Sequence, residues 1–410
     1  MDKTRRILLQ ALAFIVLSIP DCPALPITAE TEENHMSDDD METFSSTVMD
    51  GETGETLPFA QIYISEGRGT IANAEGRFSV KALPSETLVI TCMGYQRMKI
   101  KAADLPPTLR LMPAETAMRE VTVMAPGNIL AQVVKQMEKD YQAHKNAYTY
   151  YYMRQTYRMD EAAEMAEAYL SARSAGNLRG VEFLAGRVFH AKSKEKKLAL
   201  DFSNLHATLS LAPMIKEEPF WQEVFIPLNQ KSFRNRYNYE KDYETDISTQ
   251  TDADGKRILC IHIRRPQKGK KVRKAVMSGD LYVEADSLWP IGFKGKIEGL
   301  KLESELNGEE STAKATLDLN ITYSRTHGYN KVTSIFTRLK CKGIDCQTIA
   351  YHVDNLDIPD DADANRSDNL LTAIWYTRKD AEWWRKNIIL PTEAERKLMR
   401  ENGMMQEEEK

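Results

Sequence analysis

Apolar residues change their period three times along the chain. From residue 44 to about 123 they alternate with polar ones. Ala60, Ile62 and Ile64 are separated by Gln61 and Tyr63, and Phe78 and Val80 by Ser79. Leu88, Ile90 and Cys92 share a face, as do Leu109 and Leu111, and Val121 and Val123 alternate with Glu120 and Thr122. A period of two marks strands with one buried face. Turn formers punctuate these runs at Asp50-Gly51, Thr53-Gly54, Asn73-Ala74-Glu75-Gly76, Met93-Gly94 and Pro106-Pro107. The pattern predicts a β-sandwich over 44–125. After Pro126, a good first-turn residue, Leu130, Val133, Val134, Met137 and Tyr141 fall at helical spacing and predict a linking helix over 126–145.

The period of two returns over 146–360. Strand candidates run from Tyr237 to Ile247, Arg257 to Arg264, Met277 to Val283, Ile291 to Ile297, Ala315 to Tyr323, Val332 to Leu339 and Thr348 to Val353. Tyr148-Thr149-Tyr150-Tyr151-Tyr152 is strand-forming by propensity. It reads as a strand with one buried and one exposed face, the alternative being a carbohydrate-stacking surface. Ala162 to Leu184 predicts a helix or helical loop. The tail, 361–410, changes composition again: a polar linker through Asn365, then helices over Arg378 to Asn387 and Glu393 to Glu401, with Thr392 placed to cap the second. The fold class is mainly β: a sandwich, then a β-rich antiparallel-sheet domain with a linking helix and a C-terminal helical tail.

Three runs in the first region go further. Leu57-Pro58-Phe59-Ala60-Gln61-Ile62-Tyr63-Ile64, then Gly69-Thr70-Ile71-Ala72-Asn73-Ala74-Glu75-Gly76-Arg77-Phe78, then Leu88-Val89-Ile90-Thr91-Cys92-Met93-Gly94-Tyr95 resemble the carboxypeptidase-regulatory-like domain. The closing Glu120-Val121-Thr122-Val123 fits as well. The resemblance implies a transthyretin-like seven-strand sandwich and a setting in the Gram-negative envelope. It does not imply peptidase activity. Gly279-Asp280-Leu281-Tyr282-Val283 with Trp289-Pro290-Ile291 is similar to the strand pair of envelope proteins that carry an antiparallel sheet after such a sandwich. The pattern is also similar to the half-barrel of lipoprotein carriers.

The N-terminus agrees with that setting. Lys3, Arg5 and Arg6 precede an apolar run from Ile7 to Ile19, which Pro20 ends, and Ala24 offers a cleavage point. This predicts a signal peptide over 1–24; an uncleaved anchor is the alternative, for which the run is short. Ile19-Pro20-Asp21-Cys22 loosely resembles a lipobox, with acidic Asp21 where a small residue belongs. Residues 25–43 form an acidic linker that has too little apolar surface to order itself. An outer-membrane barrel is not expected, because the chain is short for one and the strands lack an apolar outer face with aromatic girdles.

Composition adds exclusions. The 410 residues carry a net charge of −5, which supplies no basic field for nucleic acid. The seven histidines are scattered and none stands in a His-Glu-x-x-His motif, so no zinc-peptidase set is expected. Neither a Gly-x-Ser-x-Gly elbow nor a P-loop occurs. The reading is a non-enzyme without cofactor, metal or catalytic residues.

Two clusters stand out. Cys341 and Cys346 bracket Lys342-Gly343-Ile344-Asp345; across a four-residue turn they would face each other, and a disulfide there would contribute about 2 kcal/mol. Two reduced strand cysteines are the equal alternative. Arg264, Arg265, Lys268, Lys270, Lys271, Arg273 and Lys274 crowd a hairpin loop. They form either a contact for anionic headgroups or a solvated loop that discourages edge pairing. The function expected is a binding or structural accessory module at the periplasm or outer-membrane periphery, partnered by an envelope protein or lipid component. The alternatives are a lipid or lipoprotein carrier-like half-barrel, and a hydrolase whose site no motif reveals.

Overall fold

A computed structural model of the chain describes residues 41–65, 68–114, 116–117, 126–159, 162–176, 178–190, 244–252, 255–264, 276–306, 309–325, 328–341, 343–353, 384 and 389–402. Residues 41–410 form one compact unit. The expected signal peptide and Cys22 lie outside the described residues. The acidic linker ends earlier than expected, because Glu42 and Thr43 already belong to the first strand.

Seven strands make the sandwich. In one sheet β1 (Glu42–Asp50) runs antiparallel to β4 (Arg77–Ala82) and parallel to β7 (Thr108–Leu111). The other sheet has the order β3 (Arg68–Ile71), β2 (Gln61–Ser65), β5 (Thr87–Thr91), β6 (Met98–Lys101). The alternating positions meet inside: Val48, Ile62, Phe78, Leu88, Ile90, Leu109 and Leu111 share one core. The expected strand at Glu120 to Val123 lies outside the described residues. The short β8 (Thr116–Ala117) before it joins the second sheet system instead.

That system is one eleven-stranded antiparallel sheet. α1 (Pro126–His144) leads into β9 (Tyr148–Met159), β10 (Ala162–Arg173) and β11 (Arg179–His190). A second meander follows: β12 (Glu244–Thr251), β13 (Arg257–Arg264), β14 (Val276–Glu284), β15 (Pro290–Leu306), β16 (Glu309–Ser324), β17 (Lys331–Cys341) and β18 (Ile344–Val353). Pairing of β18 with β9 joins the two meanders, giving the order β11-β10-β9-β18-β17-β16-β15-β14-β13-β12-β8. At ordinary strand spacing such a sheet is roughly 50 Å wide.

Both faces of this sheet are covered, and that explains two departures from the sequence reading. Ala162 to Leu184 is not helical but forms β10 and part of β11. Its Ala, Glu and Met content favours a helix. In the sheet, Ala166, Ala168 and Ala172 enter one core while Met165, Glu167 and Tyr169 enter the other side, and all are buried. With two buried faces the alternation vanishes from the sequence. The tyrosine run departs for the same reason: Tyr151 and Tyr152 point to opposite faces and neither is exposed.

One face is packed by α1 and is called here the helix face. The other receives the sandwich. Phe59 stacks on Phe336 at 3.8 Å between ring centroids, and Gln61 Nε2 donates to Thr322 Oγ1 and to Ser334 Oγ. Phe59 holds a left-handed backbone, φ 63°, costly for an aromatic residue and consistent with a position fixed by that stack. At the far side of the seam Met93 lies on Gly292, where a Cβ would come within 2.3 Å of its Sδ. The C-terminal helix α2 (Glu393–Glu401) ends the described chain. Thr392 caps it in a capping box with Glu395, as the sequence predicts.

Candidate functional site

The helix face is a single apolar surface. Leu170 and Phe183 at one end, Leu319 and Ile335 in the middle, and Ile261 and Val283 at the other end belong to one buried cluster with Leu130 and Val133 of α1. Register explains the continuity, since Ala168 pairs Met153, Met153 pairs Ala350, and Ala350 pairs Ile335. Three polar side chains interrupt it in one row: Gln155, Thr348 and Thr337 are cross-strand neighbours, all buried. Gln155 Nε2 donates to Thr348 Oγ1 at 2.9 Å. Among the described residues Thr337 Oγ1 has no hydrogen-bond partner.

On the opposite face near β11, an ion cluster is sealed under the C-terminal segment. Glu167 is fully buried and accepts from the Tyr152 hydroxyl, from Nε and Nη2 of Arg154, and from Nε of Arg187 at 2.6 Å. Arg154 also donates to the Ile389 carbonyl and pairs with Glu395 of α2, while the Arg187 guanidinium lies over Trp384. Burial alone would raise the Glu167 pKa, but the two guanidiniums more than offset it and hold the carboxyl below its ordinary value. The ion pairs tie β9, β10 and β11 to the tail, so the cluster reads as a structural clasp between sheet and tail.

A third group sits on the same face at the other end, beyond the sandwich seam. Register sets Ser248 opposite Cys260, Cys260 opposite Tyr282, and His262 opposite Asp280. His262 Nδ1 lies 2.7 Å from Asp280 Oδ1, and His262 Nε2 lies 2.9 Å from Ser248 Oγ. The Cys260 thiol stands 3.8 Å from Nδ1. Burial, aided by the Asp280 carboxylate, pushes that thiol up to about 12. It also bonds the Tyr282 hydroxyl, whose own pKa burial raises further. Cys260, His262 and Asp280 bring three ligand atoms within 4.8 Å of one another.

The residues singled out from sequence fare differently. Arg264 is the exposed last residue of β13. Arg265, Lys268, Lys270, Lys271, Arg273 and Lys274 lie outside the described residues. The β17–β18 turn has two residues rather than four, with Gly343 at φ 79°. Cys341 therefore pairs with Ile344, and Cys346 with Leu339, so the cysteines are offset along the strands rather than opposed. Cys346 is a free buried thiol, which burial pushes up to about 12. The Ser248, Cys260, His262 and Asp280 group escaped the sequence reading. Its one sequence signal is Cys260-x-His262, two ligand-type side chains on one strand face.

Residues 44–123 match the family model of the CarboxypepD_reg-like domain. That stretch, about a fifth of the chain, is such a domain. No curated protein matches the chain. Among solved structures it is similar to a DUF1329 family protein from Desulfovibrio piger ATCC 29098, with 10% identity and a TM-score of 0.21 over 58% of this chain and 97% of that one. It is also similar to MucB in a complex with MucA(peri), with 8% identity and a TM-score of 0.16 over 55% and 92%. Likenesses this loose define neither fold nor function here.

Proposed function

We propose that this protein is an exported, non-catalytic accessory module of the cell envelope, which binds a partner or an envelope component. The observation that carries this reading is the way the CarboxypepD_reg-like sandwich is built in. It is docked as a brace against the middle strands of the large sheet, through Phe59, Gln61 and Met93. The basic start at Lys3, Arg5 and Arg6, with the apolar run to Ile19, supports export. No helix among the described residues is long and apolar enough to cross a membrane. The test is fractionation of cells making the full chain, followed by capture of bound components from the envelope extract in mild detergent. A partner that co-purifies with the envelope form supports the reading. A chain retained in the cytoplasm, or one that turns over a substrate, overturns it.

A second reading, a carrier for lipid or lipid-bearing protein, is favoured by the helix face. Ligand seats are mostly apolar with a few placed polar groups, and the Gln155, Thr337 and Thr348 row within the apolar cluster has that composition. Native mass spectrometry of the purified full chain reads it directly. A retained lipid supports it, and a ligand-free mass with no displacement of a fluorescent fatty acid rules it out.

A further inference from the structure

We propose that Cys260, His262 and Asp280 form a binding site for a borderline-soft divalent cation of the zinc class, with Ser248 as the positioning residue for the imidazole. The proposal is independent of the function argued above, because it rests on the β12–β14 end of the sheet alone.

Register places the donors without help from loops. β13 carries Cys260 and His262 on one face, separated by one residue, and β14 sets Asp280 directly across from His262. A thiolate, an imidazole nitrogen and a carboxylate oxygen are the ligand types that such a cation takes, and three protein ligands leave a fourth position open. In a tetrahedral site with bonds of about 2.0–2.3 Å, neighbouring ligand atoms stand roughly 3.3–3.8 Å apart. The 3.8 Å from Cys260 Sγ to His262 Nδ1 is long for a useful hydrogen bond and right for two ligands of one ion. Asp280 Oδ1, at 2.7 Å from Nδ1, must draw back by roughly half an ångström to meet the same spacing. Its side chain is 40% exposed, which leaves it free to do so.

Ser248 supplies the second element. A ligating histidine holds its other ring nitrogen on an oxygen, which fixes ring and tautomer. Ser248 Oγ lies 2.9 Å from Nε2. Without metal, Nδ1–H donates to Asp280 and the serine hydroxyl donates to Nε2. With metal, the Nδ1 lone pair faces the ion and Nε2–H donates to Ser248 Oγ. The Cys260 thiol loses its proton to solvent, and the ring proton changes nitrogen. His262 and Asp280 are partly exposed, so the ion has an entry path, while buried Cys260 and Tyr282 form the floor.

The same Ser248, His262 and Asp280 contacts also have the outline of a nucleophile, base and orienting acid. Ser248, however, sits in mid-strand, opposite Cys260, rather than on the sharp turn that exposes a nucleophile.

The experiment titrates the full-length protein with Co2+ and follows the thiolate-to-cobalt charge-transfer band and the visible bands of tetrahedral intensity. The expected result is a stoichiometric band in the parent, lost in Cys260→Ser and His262→Ala, with affinity about 10–100-fold weaker in Ser248→Ala. Zn2+ should displace the band and raise the parent's thermal midpoint while leaving that of Cys260→Ser unchanged. Near-ultraviolet circular dichroism checks that each variant is folded. A folded parent with no band overturns the proposal. So does a band that survives Cys260→Ser, or covalent labelling of Ser248 by a fluorophosphonate.

Discussion

Replacing Glu167 by Gln removes one negative charge from the interior of the clasp. The carboxylate is fully buried, and three of its four hydrogen bonds come from the guanidiniums of Arg154 and Arg187. In the variant the Arg154 and Arg187 cations both remain; among the described residues Arg154 keeps its ion pair with Glu395, while Arg187 loses the carboxylate it pairs with. Removing one partner of a buried ion pair costs about 3–5 kcal/mol, because an uncompensated charge is left behind. For a domain of this size that lowers the thermal midpoint by roughly 10 °C. Urea denaturation followed by circular dichroism measures it. The pH dependence supplies a sign check. The folded-state pKa of Glu167 lies below its unfolded value, so its contribution is present above the unfolded pKa and is lost as pH falls through the folded one. The gap between parent and Glu167→Gln should therefore narrow in acid. The variant Tyr152→Phe, Arg154→Met, Glu167→Leu, Arg187→Met should recover part of the loss, since a buried ion cluster and a well-packed apolar set are nearly equivalent in net stability and Glu395 keeps the Thr156 hydroxyl and the Thr392 amide. A Glu167→Gln cost within about 1 kcal/mol of zero would refute the clasp.

Other consequences are measurable on the same protein. Phe59→Ala should remove the stack on Phe336 and open the seam, seen as faster proteolysis of the sandwich with the large sheet still folded; unchanged protection would contradict the docking. Thr392→Ala should cost about 1 kcal/mol by removing the cap on the Glu395 amide, and should fray α2 first in hydrogen exchange. Asp140 is a buried carboxyl whose pKa burial raises, although it accepts the Asn330 amide at 2.7 Å. Its contribution is therefore present below its unfolded pKa and is lost as pH rises through the folded one. Asp140→Asn should gain on the parent as pH rises through that window, and a parallel pH profile for the two proteins would count against it.

The fold was legible wherever one side of a strand met water or a turn had distinctive chemistry. β13 begins and ends where the alternation places it, at Arg257 and Arg264. α2 follows Thr392, as a capping box requires. Legibility failed where both faces are buried, because Ala162 to Arg173 then carries small and apolar residues on each side and imitates a helix. The cysteine pair was left open by the sequence because turn length decides it: a two-residue loop, in place of the four-residue one a disulfide required, offsets Cys341 from Cys346. Ser248, Cys260, His262 and Asp280 could not be assembled from the sequence. Their meeting depends on the register of three strands, and nothing short of that register distinguishes Asp280 from the other acidic residues.

The most direct test of the central claim is the intact mass of the protein recovered from the envelope fraction in mild detergent. The account predicts a chain shortened near Ala24 that carries a bound partner or envelope component and shows no turnover of its own. A full-length chain in the cytoplasm, or an envelope form that binds nothing and consumes a substrate, would contradict it.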